Sequence, residues 1–154
     1  MSTIKERLSS LGHELPPAPT PAANYIPFTT AGNLLSISGQ ISKTTGEVMS
    51  GTLSSKDDIA RGKKAAEAAA LNILAQIAAA TDGTLASVRQ VLKLGIFVAA
   101  DPGFQDHPLV ANGASDLIAA VFGDAGRHSR TTVGVASLPS GALVEIDALI
   151  KLEV

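Results

Sequence analysis

Arg130 and Glu145 are the residues whose types and surroundings most invite chemistry. Arg130 stands directly before Thr131-Thr132-Val133, where a strand begins, and no acidic residue is close to it in sequence. Glu145 lies in "VEIDALIKLEV", which alternates cleanly: Val144, Ile146, Ala148, Ile150 and Leu152 share one face, and Glu145, Asp147, Lys151 and Glu153 share the other. The plain readings are a solvated carboxylate on the open face of a half-buried sheet and a strand-edge charge that discourages association. The sharper reading is that each side chain faces a ligand or another subunit.

Other chemistries find no support. Cysteine is absent, which excludes disulfides, thiolate nucleophiles and zinc-thiolate sites. His13, His107 and His128 are scattered without ligand spacing, so neither a metal nor a cofactor is expected. No phosphate-cradling glycine loop, metalloprotease helix or nucleophile elbow occurs.

The elements that must position Arg130 and Glu145 can be read from periodicity. Residues 3–12 suggest a short amphipathic helix on Ile4, Leu8 and Leu11. "LPPAPTPAAN" must then be extended and non-helical. Residues 1–22 thus read as an N-terminal extension lying against a single domain of residues 23–154. "YIPFTTAGNLLSISGQI" reads as two strands joined at Gly32-Asn33, with Leu35, Ile37 and Gly39 on one face of the second. "TTGEV" supplies a further turn into a short strand. The longest helix signal covers about residues 56–80, opened by a Ser55/Asp58 capping pair and ended by Asp82-Gly83. "VRQVLKLGIFVAA" is apolar enough for a central strand. A second helix starts near His107-Pro108, with Leu109, Leu117, Ala120 and Val121 as its stripe.

Residues 131–138 and 142–153 then read as strands of a closing hairpin around "LPSG". In that hairpin Arg130 would face Leu149, four residues from Glu145, or roughly 13 Å along the strand, so no intrachain ion pair is expected. The order ββ(β)αβαββ gives an α+β sandwich with two helices on one face of a mixed, largely antiparallel sheet.

The 154 residues suit one domain with a proper core. With 12 basic and 14 acidic side chains, a net charge of −2, no Trp and one Tyr, the chain lacks the basic stripe and stacking platform of a nucleic-acid binder. The start "MSTIKERLSS" has no apolar core of a signal peptide. "AAEAAALNILAQIAAA", interrupted by Glu67, Asn72 and Gln76, falls short of a membrane span. A cytoplasmic location is expected.

"SGQI" at 38–41, Arg130 opening a strand and "VASLPSGALVEIDALI" at 135–150 together resemble the YjgF/RidA family of reactive-intermediate (enamine/imine) deaminases, also known as endoribonuclease L-PSP proteins. The resemblance covers about residues 20–154. It implies a chorismate-mutase-like fold, a homotrimer around a central β-barrel, and a pocket in each intersubunit cleft. Arg130 matches the arginine that clamps the substrate carboxylate. Glu145, fifteen residues later, matches the glutamate that positions the attacking water, and Tyr25 the pocket tyrosine that aids proton transfer. Ser38, Gly39, Asn112 and Thr132 match substrate-binding positions, Thr132 standing where many deaminases carry cysteine.

The function so implied is hydrolytic deamination of 2-imino or enamine acids to 2-keto acids and ammonia, on a small carboxylate-bearing substrate. The alternatives are a non-catalytic carboxylate-binding or regulatory protein of the same fold, and an endoribonuclease or translation inhibitor. The composition disfavours the last of these.

Overall fold

The computed structural model describes residues 1–154. The alanine-rich segment forms the longest helix, α2 (Ile59–Ala80), preceded by a single 3₁₀ turn at Lys56–Asp58. The expected capping pair is present: the Asp58 carboxylate accepts from the backbone N–H groups of Ser54 and Ser55, at 2.7 and 3.2 Å. These bonds satisfy donors that a helix start leaves orphaned. Thr81 closes the other end by donating its hydroxyl to the Ile77 carbonyl at 2.8 Å, and Gly83 follows at φ 77°.

α2 buries Ala66, Ala69, Ala70, Ile73, Leu74 and Ile77. It packs beside α3 (His107–Phe122), whose first turn holds Pro108 as expected. The buried face of α3 is Val110, Ala111, Ala114, Leu117, Ile118 and Val121, with Leu109 47% exposed. The stripe anticipated from the large residues is therefore rotated. The reason is close helix–helix approach, which selects small residues for the contact: a methyl group on Gly113 would overlap the Lys63 backbone carbonyl of α2.

Both helices lie on one face of a five-stranded sheet. Its strands are β1 (Phe28–Ala31), β2 (Leu34–Ile41), β5 (Val88–Ala99), β6 (Ser129–Val135) and β7 (Val144–Leu152), in the order β1-β2-β7-β5-β6. A small hairpin of β3 (Lys43–Thr44) and β4 (Glu47–Val48) stands apart. β5 and β6 are parallel, joined by the α3 crossover, and all other pairs are antiparallel. The mixed α+β architecture anticipated from the sequence is what is seen.

The closing hairpin is not. β5 lies between β6 and β7, and the 3₁₀ turn Pro139–Gly141 carries the chain past it. A tight Pro-Gly turn has the same local signature whether its strands pair or straddle a third. The decision is made by β5, a 12-residue strand that pairs with β7 from Val88↔Leu152 to Val98↔Val144.

A second departure lies in β2. Ile37 pairs with Ala148 and Gln40 with Ile146, so three residues of β2 span two intervals of β7: a bulge at Ser38-Gly39. Past it the alternation shifts, and Gln40, 6% exposed, takes the inward place expected for Gly39.

Ile4 and Leu8 of α1 (Ile4–Ser10) are fully buried in the same core as the sheet and the helices. Thr3 and Glu6 form a capping box at its start. Ile4 N–H donates to Gly83 O at 2.9 Å and Leu85 N–H to Ser2 O at 3.0 Å, which fastens α1 to the loop after α2. No helix of the chain is long and apolar enough to cross a membrane.

The Gly113 contact is with backbone, which cannot swing aside. Gly113→Ala should lower the free energy of unfolding by about 1–3 kcal/mol, read from urea denaturation. An unchanged midpoint would show that the two helices separate without cost.

Candidate functional site

β7 fixes the first half of the site. Because Ile146 and Ala148 are buried under the helices, strand alternation sends Glu145 and Asp147 to the open face of the sheet. Each carboxylate lies over a glycine of a flanking strand. A methyl on Gly39 would overlap Glu145 Oε1, and one on Gly95 would overlap Asp147 Oδ1. Gly39 is thus a close-approach glycine, and what approaches it is the Glu145 side chain. Burial raises the pKa of Glu145 above the ordinary carboxylate value, and the neighbouring Asp147 charge adds to the rise.

Glu145 sits at one wall of a cleft of about 200 Å³, which Tyr25, Gly39, Gln40, Lys43 and residues 19–22 also line. Tyr25 is half exposed in a bend ahead of β1, where a strand position was anticipated. Ser38 does not line this cleft. Its hydroxyl donates to Ile26 O at 2.8 Å and its N–H to Pro27 O at 2.9 Å, bonds that dock the segment carrying Tyr25 onto β2.

Arg130 occupies a different place. It pairs with Leu94 on the sheet-edge strand β6, and its side chain reaches α3 on the helical side. Nη1 donates to Asn112 Oδ1 at 2.9 Å and to Ser115 Oγ at 3.0 Å, and Nη2 donates to Pro108 O at 3.0 Å. Asn112 and Ser115 stand three apart on one helix face, the spacing that lets both reach a single group. Three of the five guanidinium donors are thereby used. Nε–H and one Nη2–H make no bond within the chain, and Nε and Nη2 are a pair of neighbouring nitrogens through which a guanidinium can grip a carboxylate.

A further pair holds this assembly, and sequence reasoning missed both members. His128 Nδ1 lies 2.6 Å from Gly126 O, and its Nε2 lies 2.9 Å from Ser115 Oγ. A carbonyl only accepts, so Nδ1 carries the hydrogen. In that tautomer Nε2 accepts from Ser115, whose oxygen is left to accept from Arg130. Ser115 was legible only as a position one turn beyond Asn112, and His128 only as one of three scattered histidines without ligand spacing. Thr132, two residues past Arg130 on the same strand, has a buried hydroxyl with no partner.

Within one chain the two halves do not meet. Arg130 is level with Leu94 and Ala148, so Glu145 is two strands across and 148 − 145 = 3 residues along, and it points from the opposite face. The backbone offset alone is roughly 10 Å in each direction. Tyr25, Gly39 and Glu145 form one group; Arg130, Asn112 and Thr132 form another.

The Glu145 environment generates a prediction. Asp147→Asn removes the like charge, so the Glu145 carboxyl should titrate at lower pH, followed by carbon-13 NMR of the labelled carboxyl. A titration unmoved by the substitution would mean that the two carboxylates do not interact.

Comparison with known proteins bears on the family and the fold. Residues 5–151 match the family described as "YjgF/chorismate_mutase-like, putative endoribonuclease". The chain is similar to Protein TCP17 of Trypanosoma cruzi, with 46% identity over 151 residues, 97% of this chain and 94% of that protein. It is also similar to a 2-iminobutanoate/2-iminopropanoate deaminase of Dermatophagoides farinae, with 30% identity over 140 residues, 90% of this chain and 93% of that protein. Among solved structures, a protein of unknown function from Agrobacterium tumefaciens superposes with a TM-score of 0.88 at 48% identity, covering 99% of this chain and 93% of that one. A sheet of this order under paired helices, a family match across nearly the whole chain and these relatives lead to one conclusion: the chain belongs to the YjgF/RidA family of chorismate-mutase-like proteins.

Proposed function

We propose that the protein hydrolyses 2-imino and enamine acids to 2-keto acids and ammonia in a cleft between subunits of a homotrimer. The observation that carries this reading is the state of Arg130. Its guanidinium is fixed by three neutral acceptors, no carboxylate lies within 4.0 Å of it, and two of its donors make no bond within the chain. A cation held this firmly without a counter-charge suits an anionic ligand, and the shape of the fork selects a carboxylate.

The chemistry asks little more. Ionised Glu145 draws a proton from a water molecule as the oxygen adds to the imine carbon. That proton passes to the nitrogen to give the carbinolamine. Its hydroxyl proton follows as the carbonyl forms, the C–N bond breaks and ammonia leaves, so one water is consumed for each keto acid formed. An enamine first becomes the imine by moving a proton from nitrogen to C3. Tyr25, in the same cleft as Glu145, supplies a hydroxyl for the proton transfers. Such imines already hydrolyse in water, and holding carboxylate and water in register supplies most of the acceleration. Asn112, bonded to Arg130, acts here as a support for the clamp. Thr132 offers its free hydroxyl beside it. Because Arg130 and Glu145 point from opposite faces of one sheet, the site requires Arg130 from one chain and Glu145 from the next. Support for the deaminase reading also comes from the activity named for the Dermatophagoides relative.

The test is the decay of 2-aminoacrylate generated in a coupled assay. Wild type should speed keto-acid formation, and Arg130→Ala should lower kcat/KM by about 100-fold or more, the loss of a charge-assisted bidentate contact. Gly39→Ala should also depress turnover, because the new methyl displaces the Glu145 carboxylate while leaving the melting temperature nearly unchanged. If wild type binds pyruvate but never accelerates imine decay, the protein is a carboxylate-binding module and not an enzyme.

A further inference from the structure

We propose that residues 19–22 form the specificity wall of the cleft, set in place by a buried pair of glutamines, and that they restrict turnover to imines with short apolar side chains. The inference rests on the deaminase reading above and adds a substrate-limiting element to it. Pro19, Thr20, Pro21 and Ala22 line the same cleft as Tyr25 and Glu145. Two pyrrolidine rings and a methyl make that wall apolar. With the substrate carboxylate directed to Arg130 of another chain, and the water and proton groups at Glu145 and Tyr25, the remaining substituent of the imine carbon is its side chain. Ile41, Val48 and Pro139 line the cleft as well, and the wall at 19–22 is the contiguous stretch of the lining that we assign to receive it.

The segment has no regular secondary structure, so something else must hold it. Gln76 does so from the middle of α2. Only 1% exposed among Ile73, Ile77 and other core residues, its amide Nε2 donates to Pro19 O at 2.7 Å. A buried amide is costly in such surroundings unless it is bonded. Gln40 Oε1 lies 3.5 Å from the same nitrogen, and Gln40 Nε2 donates to Ser38 O at 3.0 Å. Two buried amides therefore link Pro19 to the β2 bulge, where Gly39 makes room for Glu145. The wall is thereby fastened by hydrogen bonds to the bulge over which the carboxylate lies, which sets their separation. Prolines at 16, 17, 19 and 21 further restrict the segment by fixing φ at four positions.

The experiment compares kcat/KM for the imines derived from alanine, 2-aminobutanoate and leucine in wild type, Ala22→Leu and Gln76→Leu, with melting temperatures as a check on folding. Wild type should favour the two smaller imines. Ala22→Leu, at an exposed backbone position, should depress the 2-aminobutanoate-derived imine about 10-fold more than the alanine-derived one. Gln76→Leu, which frees the Pro19 carbonyl, should raise the leucine-to-alanine ratio about 5-fold. Ratios within 2-fold of wild type in a folded Ala22→Leu overturn the proposal. So does a wild-type preference for an acidic side chain, which Lys43 on the same rim would read. If wild type turns over no imine, the deaminase reading fails first. Calorimetric affinities for pyruvate, 2-oxobutanoate and 4-methyl-2-oxopentanoate then test the wall alone: the same ranking, altered by Ala22→Leu, supports it, and equal or absent binding overturns it.

Discussion

The period of two along β7 is the constraint on which the rest depends. β7 is the centre of the sheet, paired on both sides, and every second side chain from Val144 to Ile150 enters the core. Burial of those four residues is worth several kcal/mol at about 25 cal/mol per Å², and a one-residue slip would forfeit all of it. Glu145 and Asp147 are therefore held on the open face as firmly as the core itself is held. The glycines of the flanking strands follow from that placement, since Gly39 and Gly95 stand where a side chain would collide with each carboxylate. So does the acid–base character of Glu145, raised by burial and by a like charge that the same alternation places beside it.

The opposite face carries the opposite charge. Arg130 reaches α3 and is seated by Asn112, Ser115 and the Pro108 carbonyl, with His128 steadying Ser115 from behind. A surface arginine could wander at little cost, whereas one bonded at three points has already lost its rotamer freedom before any ligand arrives. The two halves belong to two faces of one sheet, and only an arrangement of several chains could bring them to one ligand. A closed ring satisfies that need, because each chain then offers Arg130 to one neighbour and Glu145 to the other.

What the sequence made legible was local. The capping pair before α2, the proline opening α3, the Gly32-Asn33 turn and the alternation of β7 each depend on neighbours a few residues away, and each stands as expected. What it hid was set by distant partners. The insertion of β5 between β6 and β7 is a pairing across some fifty residues of sequence. The rotation of α3 buries Val110, Ala114 and Ile118 beside the expected Leu117 and Val121, and fits Gly113 against the α2 backbone. The bulge in β2 moves Gln40 inward to meet Gln76, a partner 36 residues away. Arg130, Glu145, Gly39 and Tyr25 could be named from the likeness to a family, but the supports Ser115, His128 and Gln76 could not. A supporting residue is recognised by what it touches, and touching is a property of the fold.

The central claim is that the working site draws Arg130 and Glu145 from different chains. The most direct measurement mixes two single variants, Arg130→Ala and Glu145→Gln, co-expressed with distinct tags and purified through both tags. Each variant alone should be inactive toward 2-aminoacrylate. In a three-chain ring that carries both tags, about one site in three pairs an intact Arg130 with an intact Glu145, and the mixture should recover turnover in that proportion. If the doubly tagged assemblies form and remain as inactive as their parents, the two residues do not serve a shared intersubunit site, and the account is wrong at its root.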